Sequence, residues 1–130
     1  MVDDSAGAGD WAVYSPLVVE HATNPRNVGT LEDAQGVGAD GNPVYGTLVR
    51  IYLRVIDGQV AAARFKAFGC SATLASASMA TELATGARLA DARALDAAAI
   101  EHALGGLPAE KRHCAAVAAG ALRRALDGCA

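Results

Sequence analysis

This sequence predicts an α+β domain in which a small antiparallel three-stranded sheet packs against about five helices, and three observations carry that prediction. Residues 47–55 alternate between apolar and polar side chains, as a half-buried strand requires. Asp57-Gly58 is a hairpin turn, and a second strand-like run, 59–68, follows it directly. From Ser71 onward the chain is rich in Ala and Leu at helical spacing. Strands first and helices afterwards is the signature of an α+β domain rather than of alternating βαβ units.

The elements follow in order. Residues 1–13 are rich in Asp, Ala and Gly and read as a flexible tail, which leaves 14–130 as the folded domain. Ser15-Pro16 starts a short helix, with Ser as N-cap and Pro at the first helical position. Asn24-Pro25 ends it, because the residue before proline disfavours the helical region. The loop Asn24-Pro25-Arg26-Asn27-Val28-Gly29 is dense in turn formers. Residues 34–46 hold Gly36, Gly38, Gly41 and Gly46 and predict an irregular edge strand broken at Asn42-Pro43. In the next strand Val49, Ile51, Leu53 and Val55 form a core face, while Leu48, Arg50, Tyr52 and Arg54 form a wetter one. Gln59–Phe68 is the return strand. Helices are expected at 71–84, ending at Gly86, at 89–93, and at 95–104 with Asp96 as a cap. After the break Gly105-Gly106-Leu107-Pro108, a last helix covers about 112–126. Its apolar residues are Val117, Ala118, Ala121, Leu122, Ala125 and Leu126, and Arg123 and Arg124 lie at the end where the dipole favours positive charge.

Composition excludes several function classes. A length of 130 residues fits one domain, and 52% apolar with 19% charged residues excludes a wholly disordered chain. Aromatic residues are 5%, so the core must be built from Ala, Val, Leu and Ile. A net charge of −3 without a basic block argues against a nucleic-acid partner. No apolar run reaches the roughly 18 residues of a membrane span, and Met1-Val2-Asp3-Asp4 lacks the features of a signal peptide. Three cysteines without a closely spaced pair predict reduced thiols and a cytoplasmic protein.

The chemistry centres on Phe68-Gly69-Cys70-Ser71. This is the end of a strand, a Gly turn, and a cysteine where a helix begins. Unpaired N–H groups and the positive end of the helix dipole favour thiolate there, the form that binds metal or attacks sulfur. Cys114 opens the last helix after the basic run Lys111-Arg112-His113, and His113 adds an imidazole. The bland reading of a cysteine is a small buried hydrophobe. It applies to Cys129, next to Gly128 near the end and expected to be frayed, and less to Cys70 and Cys114. His21 and His102 read as surface or satisfied core residues. Two cysteines and one histidine are three ligands suited to zinc or iron–sulfur chemistry, and both prefer four. Cys129 cannot be the fourth: 15 helical steps from Cys114 span about 22 Å. The glycines at 36–46 lack the strand-to-helix setting of a phosphate loop.

Several motifs in one order resemble a known family. Tyr14-Ser15 and His21 precede Asn24-Pro25-Arg26-Asn27-Val28-Gly29. The strand pair leads into Ala63-Arg64-Phe65-Lys66-Ala67-Phe68-Gly69-Cys70, then Ala75-Ser76-Ala77-Ser78 and Thr81-Glu82. Leu107-Pro108-Ala109-Glu110-Lys111-Arg112-His113-Cys114 closes the series. The chain resembles the iron–sulfur cluster scaffold proteins IscU and the N-terminal domain of NifU, from about Tyr14 to Leu126, with Glu110 and Lys111 nearer the NifU branch. The resemblance implies the SufE/NifU-like fold. It implies three ligand cysteines and an aspartate, of which Cys70 and Cys114 are the second and third cysteines, with His113 as the family histidine. The family's Cys-Gly-Asp motif reads Tyr45-Gly46-Thr47 here. A [2Fe–2S] cluster therefore finds three good ligands; the fourth position falls to Tyr45 as a phenolate, to an outside thiol or to a second protomer, or stays empty, and Thr47 is a poor ligand.

What the resemblance implies is a scaffold, not an enzyme, holding iron or a [2Fe–2S] cluster for transfer to recipient apoproteins. Sulfur would come from a cysteine desulfurase, with Cys114 as persulfide acceptor near Lys111. A chaperone and a homodimer are further implied partners. Two alternatives stand beside it: a degenerate paralogue that binds the assembly machinery without building a cluster, and a zinc-dependent persulfide acceptor holding zinc at Cys70, His113 and Cys114.

Overall fold

The computed structural model of the chain describes residues 12–129; the tail predicted over 1–13 lies outside the described residues except for Ala12 and Val13, which form a turn. In chain order the elements are α1 (Pro16–Thr23), β1 (Gly36–Asn42), β2 (Thr47–Ile56), β3 (Gln59–Phe68), α2 (Ser71–Ala84), α3 (Leu89–Arg93), α4 (Ala97–Ala103), a single 3-10 turn (Ala109–Lys111) and α5 (Arg112–Asp127). The sheet is antiparallel in the order β1-β2-β3. The α+β prediction holds, and the 3-10 turn within the break before α5 is the element it omits.

The hairpin joining β2 to β3 turns through Asp57 and Gly58, both in the left-handed region at φ 54° and 76°. Such a turn matches the right-handed strand twist. Val49, Ile51 and Leu53 of β2 and Val60, Ala63 and Phe65 of β3 are buried on one face, against α2 and α5. Val55 departs from this pattern and is only half-buried. The register shifts there, with Arg54 opposite Ala62 and Val55 opposite Val60, so Ala61 is an extra residue in β3, and Val60 and Ala63, three apart, both reach the core.

β1 is an edge strand, and its glycines explain its irregular sequence. A Cβ on Gly38 would lie 2.2 Å from the Ala125 nitrogen and 2.4 Å from the Ala121 oxygen of α5. The strand thus rests directly on the helix backbone, which only glycine permits. Arg124 reinforces the contact by donating to the Ala39 carbonyl (3.1 Å) and pairing with Asp40 (3.0 Å). Cys129 is not frayed, as the sequence suggested. It packs half-buried where Gly36 leaves space and donates to the Ala125 carbonyl at 3.5 Å.

α2 runs through the interior and is buried on nearly all sides by small residues, among them Ala72, Ala75, Ser76, Ala77, Ser78 and Ala80. The Asn-Pro-Arg-Asn-Val-Gly loop docks on it. The Arg26 amide donates to the Ser78 hydroxyl (2.9 Å) and the Asn27 side chain to that of Thr81 (3.2 Å). The loop also bonds to the edge of β3 through Gly29 and Phe65. His21 is the satisfied core histidine expected: its Nδ1 meets the Ser78 hydroxyl at 2.8 Å and its Nε2 lies 3.5 Å from Glu82. Ser15 and Asp96 cap α1 and α4 by accepting from the amides of Val18 and Ala99. No helix among the described residues is long and apolar enough to cross a membrane.

Candidate functional site

Two helix starts, distant in sequence, converge at one point. Cys70 is the N-cap of α2, with extended backbone, and Cys114 is the third residue of α5. Their sulfurs stand 3.9 Å apart. His113 Nε2 lies 3.5 Å from Cys114 Sγ, so the three predicted donors form one chain of contacts. Among the described residues no three His, Cys, Asp or Glu side chains already surround a common point as a finished metal cage.

The two cysteines differ in access. Cys114 is fully buried, whereas Cys70 is half-buried and lines a cavity of about 120 Å3 with Val13, Tyr14, Ser71, Pro108, Glu110 and Lys111. Lys111 places its ammonium 3.5 Å from Cys70 Sγ, so the basic neighbour expected beside Cys114 serves Cys70. Thr73 donates to Cys114 Sγ at 3.4 Å and its hydroxyl lies 3.7 Å from Cys70 Sγ. Gly69 makes that possible: at φ 146°, a Cβ there would meet Thr73 Oγ1 at 2.5 Å.

These contacts separate the two thiols electrostatically. Cys70 is held well below the ordinary thiol range. The chief cause is the hydrogen bond from Cys114, opposed by burial and helped by the amides and hydroxyl at the start of α2. Cys114 is pushed up, because it keeps the proton it shares with Cys70 and because it is buried. The pair titrates as a unit, with the first negative charge on the more accessible sulfur, that of Cys70. Burial works against the charge on Lys111, but the charge on Cys70 holds its ammonium above the usual value.

Tyr45 sits at the tip of the β1–β2 hairpin and stacks on the His113 ring, with centroids 3.8 Å apart and planes 19° from parallel. The stack brings this residue to the site and fixes the imidazole beside Cys114. Thr47 is engaged elsewhere. Its hydroxyl accepts from the Asn42 amide (3.2 Å) and reaches the Asn42 carbonyl (3.4 Å), clamping the hairpin. Cys129 and His102 take no part in the site. Thr73 is a site residue that the sequence reading missed; the signal was its position three residues after a cysteine at a helix N-cap.

The sequence matches one family model, described as NifU-like N terminal domain, over residues 13–128. The chain belongs to this NifU-like family. It is 50% identical over 114 residues to the iron–sulfur cluster assembly scaffold protein IscU 1 of Archaeoglobus fulgidus, covering 88% of this chain and 74% of that protein. It is 43% identical over 103 residues to the scaffold protein IscU of Aquifex aeolicus, covering 78% of this chain and 66% of that one. A crystal structure of a SUF-system protein from Fervidobacterium islandicum shares the fold, with a TM-score of 0.72 at 19% identity over 88% of this chain and 97% of that chain. The α+β architecture with its three-stranded sheet is thus that of the family.

The donor set suits iron bound with sulfide. A thiolate, a second thiol and an imidazole are the ligand types that iron–sulfur and zinc centres select. Tyr45 adjoins the imidazole through its ring stack, and Thr47 is held by its hairpin bonds to Asn42.

Proposed function

We propose that this protein is an iron–sulfur cluster assembly scaffold. It receives sulfur and iron as cargo at Cys70, Cys114 and His113 and passes the cluster to recipient apoproteins. The observation that carries this reading is the convergence of those three donors, within 3.9 Å of one another along the chain of contacts, in a member of a family whose relatives bear that name.

Each part of the site has a task in this reading. Cys70, reachable through its cavity, meets the incoming sulfur in place of Cys114, to which the resemblance gave that role and which is fully buried. Lys111 offsets the negative charge that accumulates as thiolate and sulfide gather. Cys114 and His113 hold iron from the buried side. The cluster is a [2Fe–2S] centre whose fourth ligand is Tyr45 or a thiol from outside the chain. The sulfur donor is the persulfide of a cysteine desulfurase, and the scaffold catalyses no turnover of its own. The need for reduced thiols fits a cytoplasmic setting.

Anaerobic incubation of the protein with ferrous iron and sulfide tests the reading. Visible charge-transfer absorption is expected in the wild type, and Cys70→Ala and Cys114→Ala should each abolish it. A cluster yield in Cys114→Ala equal to the wild type would remove the ligand assignment. Zinc retention with no absorption in any variant would point instead to a zinc-dependent persulfide acceptor.

A further inference from the structure

The two site cysteines are unequal in a way that ligation alone does not need. A pair of ligands serves equally well if both are exposed or both buried. Here Cys70 faces a cavity, while Cys114 lies fully buried 3.9 Å behind it, with the Thr73 hydroxyl donating to its sulfur. That is the layout of an attacking thiol and a resolving thiol.

We infer that the pair itself supplies the two electrons that reduce incoming sulfane sulfur to sulfide, with Cys70 as the persulfide acceptor and Cys114 as the resolving thiol. The inference rests on the scaffold reading and deepens it by assigning the source of sulfide. In the first step Cys70 thiolate attacks the terminal sulfur of a donor persulfide, R–S–SH. A Cys70–S bond to that sulfur forms, the R–S bond to it breaks, and R–S⁻ leaves. In the second step Cys114 Sγ attacks Cys70 Sγ. A Cys70–Cys114 disulfide forms, and the bond from Cys70 to its added sulfur breaks. The electron pair departs with that sulfur, which takes the Cys114 proton and leaves as hydrogen sulfide. The two thiols are oxidised to a disulfide by two electrons, and sulfane sulfur is reduced to sulfide by the same two.

The geometry supports both steps. A donor reaches Cys70 through the cavity, and none can reach the buried Cys114 from solvent. Closing the sulfurs from 3.9 Å to bonding distance is a movement of roughly 2 Å, within reach of a side-chain rotation. Cys70, half-buried at the mouth of the cavity, is the partner with room to make it, since Cys114 is fully enclosed. Lys111, 3.5 Å from Cys70 Sγ, stabilises the thiolate and the persulfide anion in turn. The product disulfide cannot hold iron, so a dithiol reductant must reopen it before metal enters. The site then alternates between a sulfide-releasing and a metal-holding state.

The experiment loads the full chain anaerobically with glutathione persulfide, removes excess donor by rapid desalting, and traps released sulfide with monobromobimane. The wild type should release roughly one sulfide per chain, and peptide mass spectrometry should find Cys70 joined to Cys114. In Cys114→Ser, and in Cys114→Ala as a second test of the same position, the added sulfur should remain on the Cys70 peptide and sulfide release should slow by about tenfold or more. Wild-type release rates in both variants, or the added sulfur found on Cys114 in the wild type, would overturn the inference. A parallel reconstitution with iron, sulfide and dithiothreitol separates the two claims. If it yields a cluster while no sulfide is released from the persulfide, the scaffold reading stands and this inference fails. If it yields none, the scaffold reading itself fails, and the inference with it.

Discussion

Lys111→Met should raise the Cys70 thiol by somewhat less than one pKa unit, a smaller shift than the loss of Cys114 should bring. The ammonium lies 3.5 Å from Cys70 Sγ. Two unit charges at about that distance attract by about 1 kcal/mol in water and about 4 kcal/mol at an effective dielectric of 20. Both side chains keep solvent contact, so the lower figure applies. About 1 kcal/mol is a little under one unit. At a pH below the shifted value the thiolate fraction falls by roughly fivefold. The more basic sulfur is also the better nucleophile, which returns part of the loss and leaves a rate about threefold lower. Cys114→Ala should shift the midpoint further, because the hydrogen bond from Cys114 is the largest influence on Cys70. The assay is iodoacetamide alkylation of metal-free protein against pH, read at the Cys70 peptide by mass spectrometry. An unchanged midpoint in Lys111→Met, or a larger shift there than in Cys114→Ala, would refute the electrostatic picture of the site.

Three further outcomes are expected. Gly38→Ala drives a methyl into the backbone of α5 and should cost about 3 kcal/mol in urea unfolding, whereas a loss under about 0.5 kcal/mol would mean that β1 does not lie against that helix. His21 is held below its ordinary value by burial and by Arg26, with Glu82 and Glu20 opposing. The unfolded chain therefore binds the extra proton below its ordinary value near pH 6.5, so stability is complete above that pH and declines as pH falls through the window beneath it. His21→Gln should flatten that part of the unfolding profile, and an identical pH slope in the variant would contradict the assignment. Tyr45→Cys places a thiol against the site and should slow the loss of visible absorption to a chelator, while an unaltered decay would show that position 45 does not face the cargo.

The parts of this structure that were legible in the sequence are those set by local chemistry. Alternation and the Asp57-Gly58 turn fixed β2 and β3, and capping residues fixed the starts of α1 and α4. β1 was legible only as something irregular, because Gly36 and Gly38 carry no side chain to alternate. Their meaning lies in the backbone of α5, which they touch from the far end of the chain. Val55 followed the alternation on paper but lies half-buried near the end of β2, while the extra residue Ala61 shifts the alternation of β3. Cys129 looked frayed because the space that receives it belongs to Gly36.

The site divides in the same way. Cys70, His113 and Cys114 were found from helix starts and from the family motifs. Which cysteine is exposed, and which of them Lys111 serves, depends on how α2 and α5 meet across 44 residues of chain. Thr47 read only as a poor ligand, and its real work is a pair of hydrogen bonds across the hairpin turn to Asn42. The stack of Tyr45 on His113 joins residues from two separate elements and leaves no trace in either local sequence.

The most direct test of the account is the metal and acid-labile sulfide content of protein purified anaerobically, taken with its visible spectrum. The account predicts iron and sulfide in comparable amounts with charge-transfer absorption, all lost in Cys70→Ala. Zinc without sulfide, or protein that takes up neither iron nor sulfide even after anaerobic reconstitution, would contradict it.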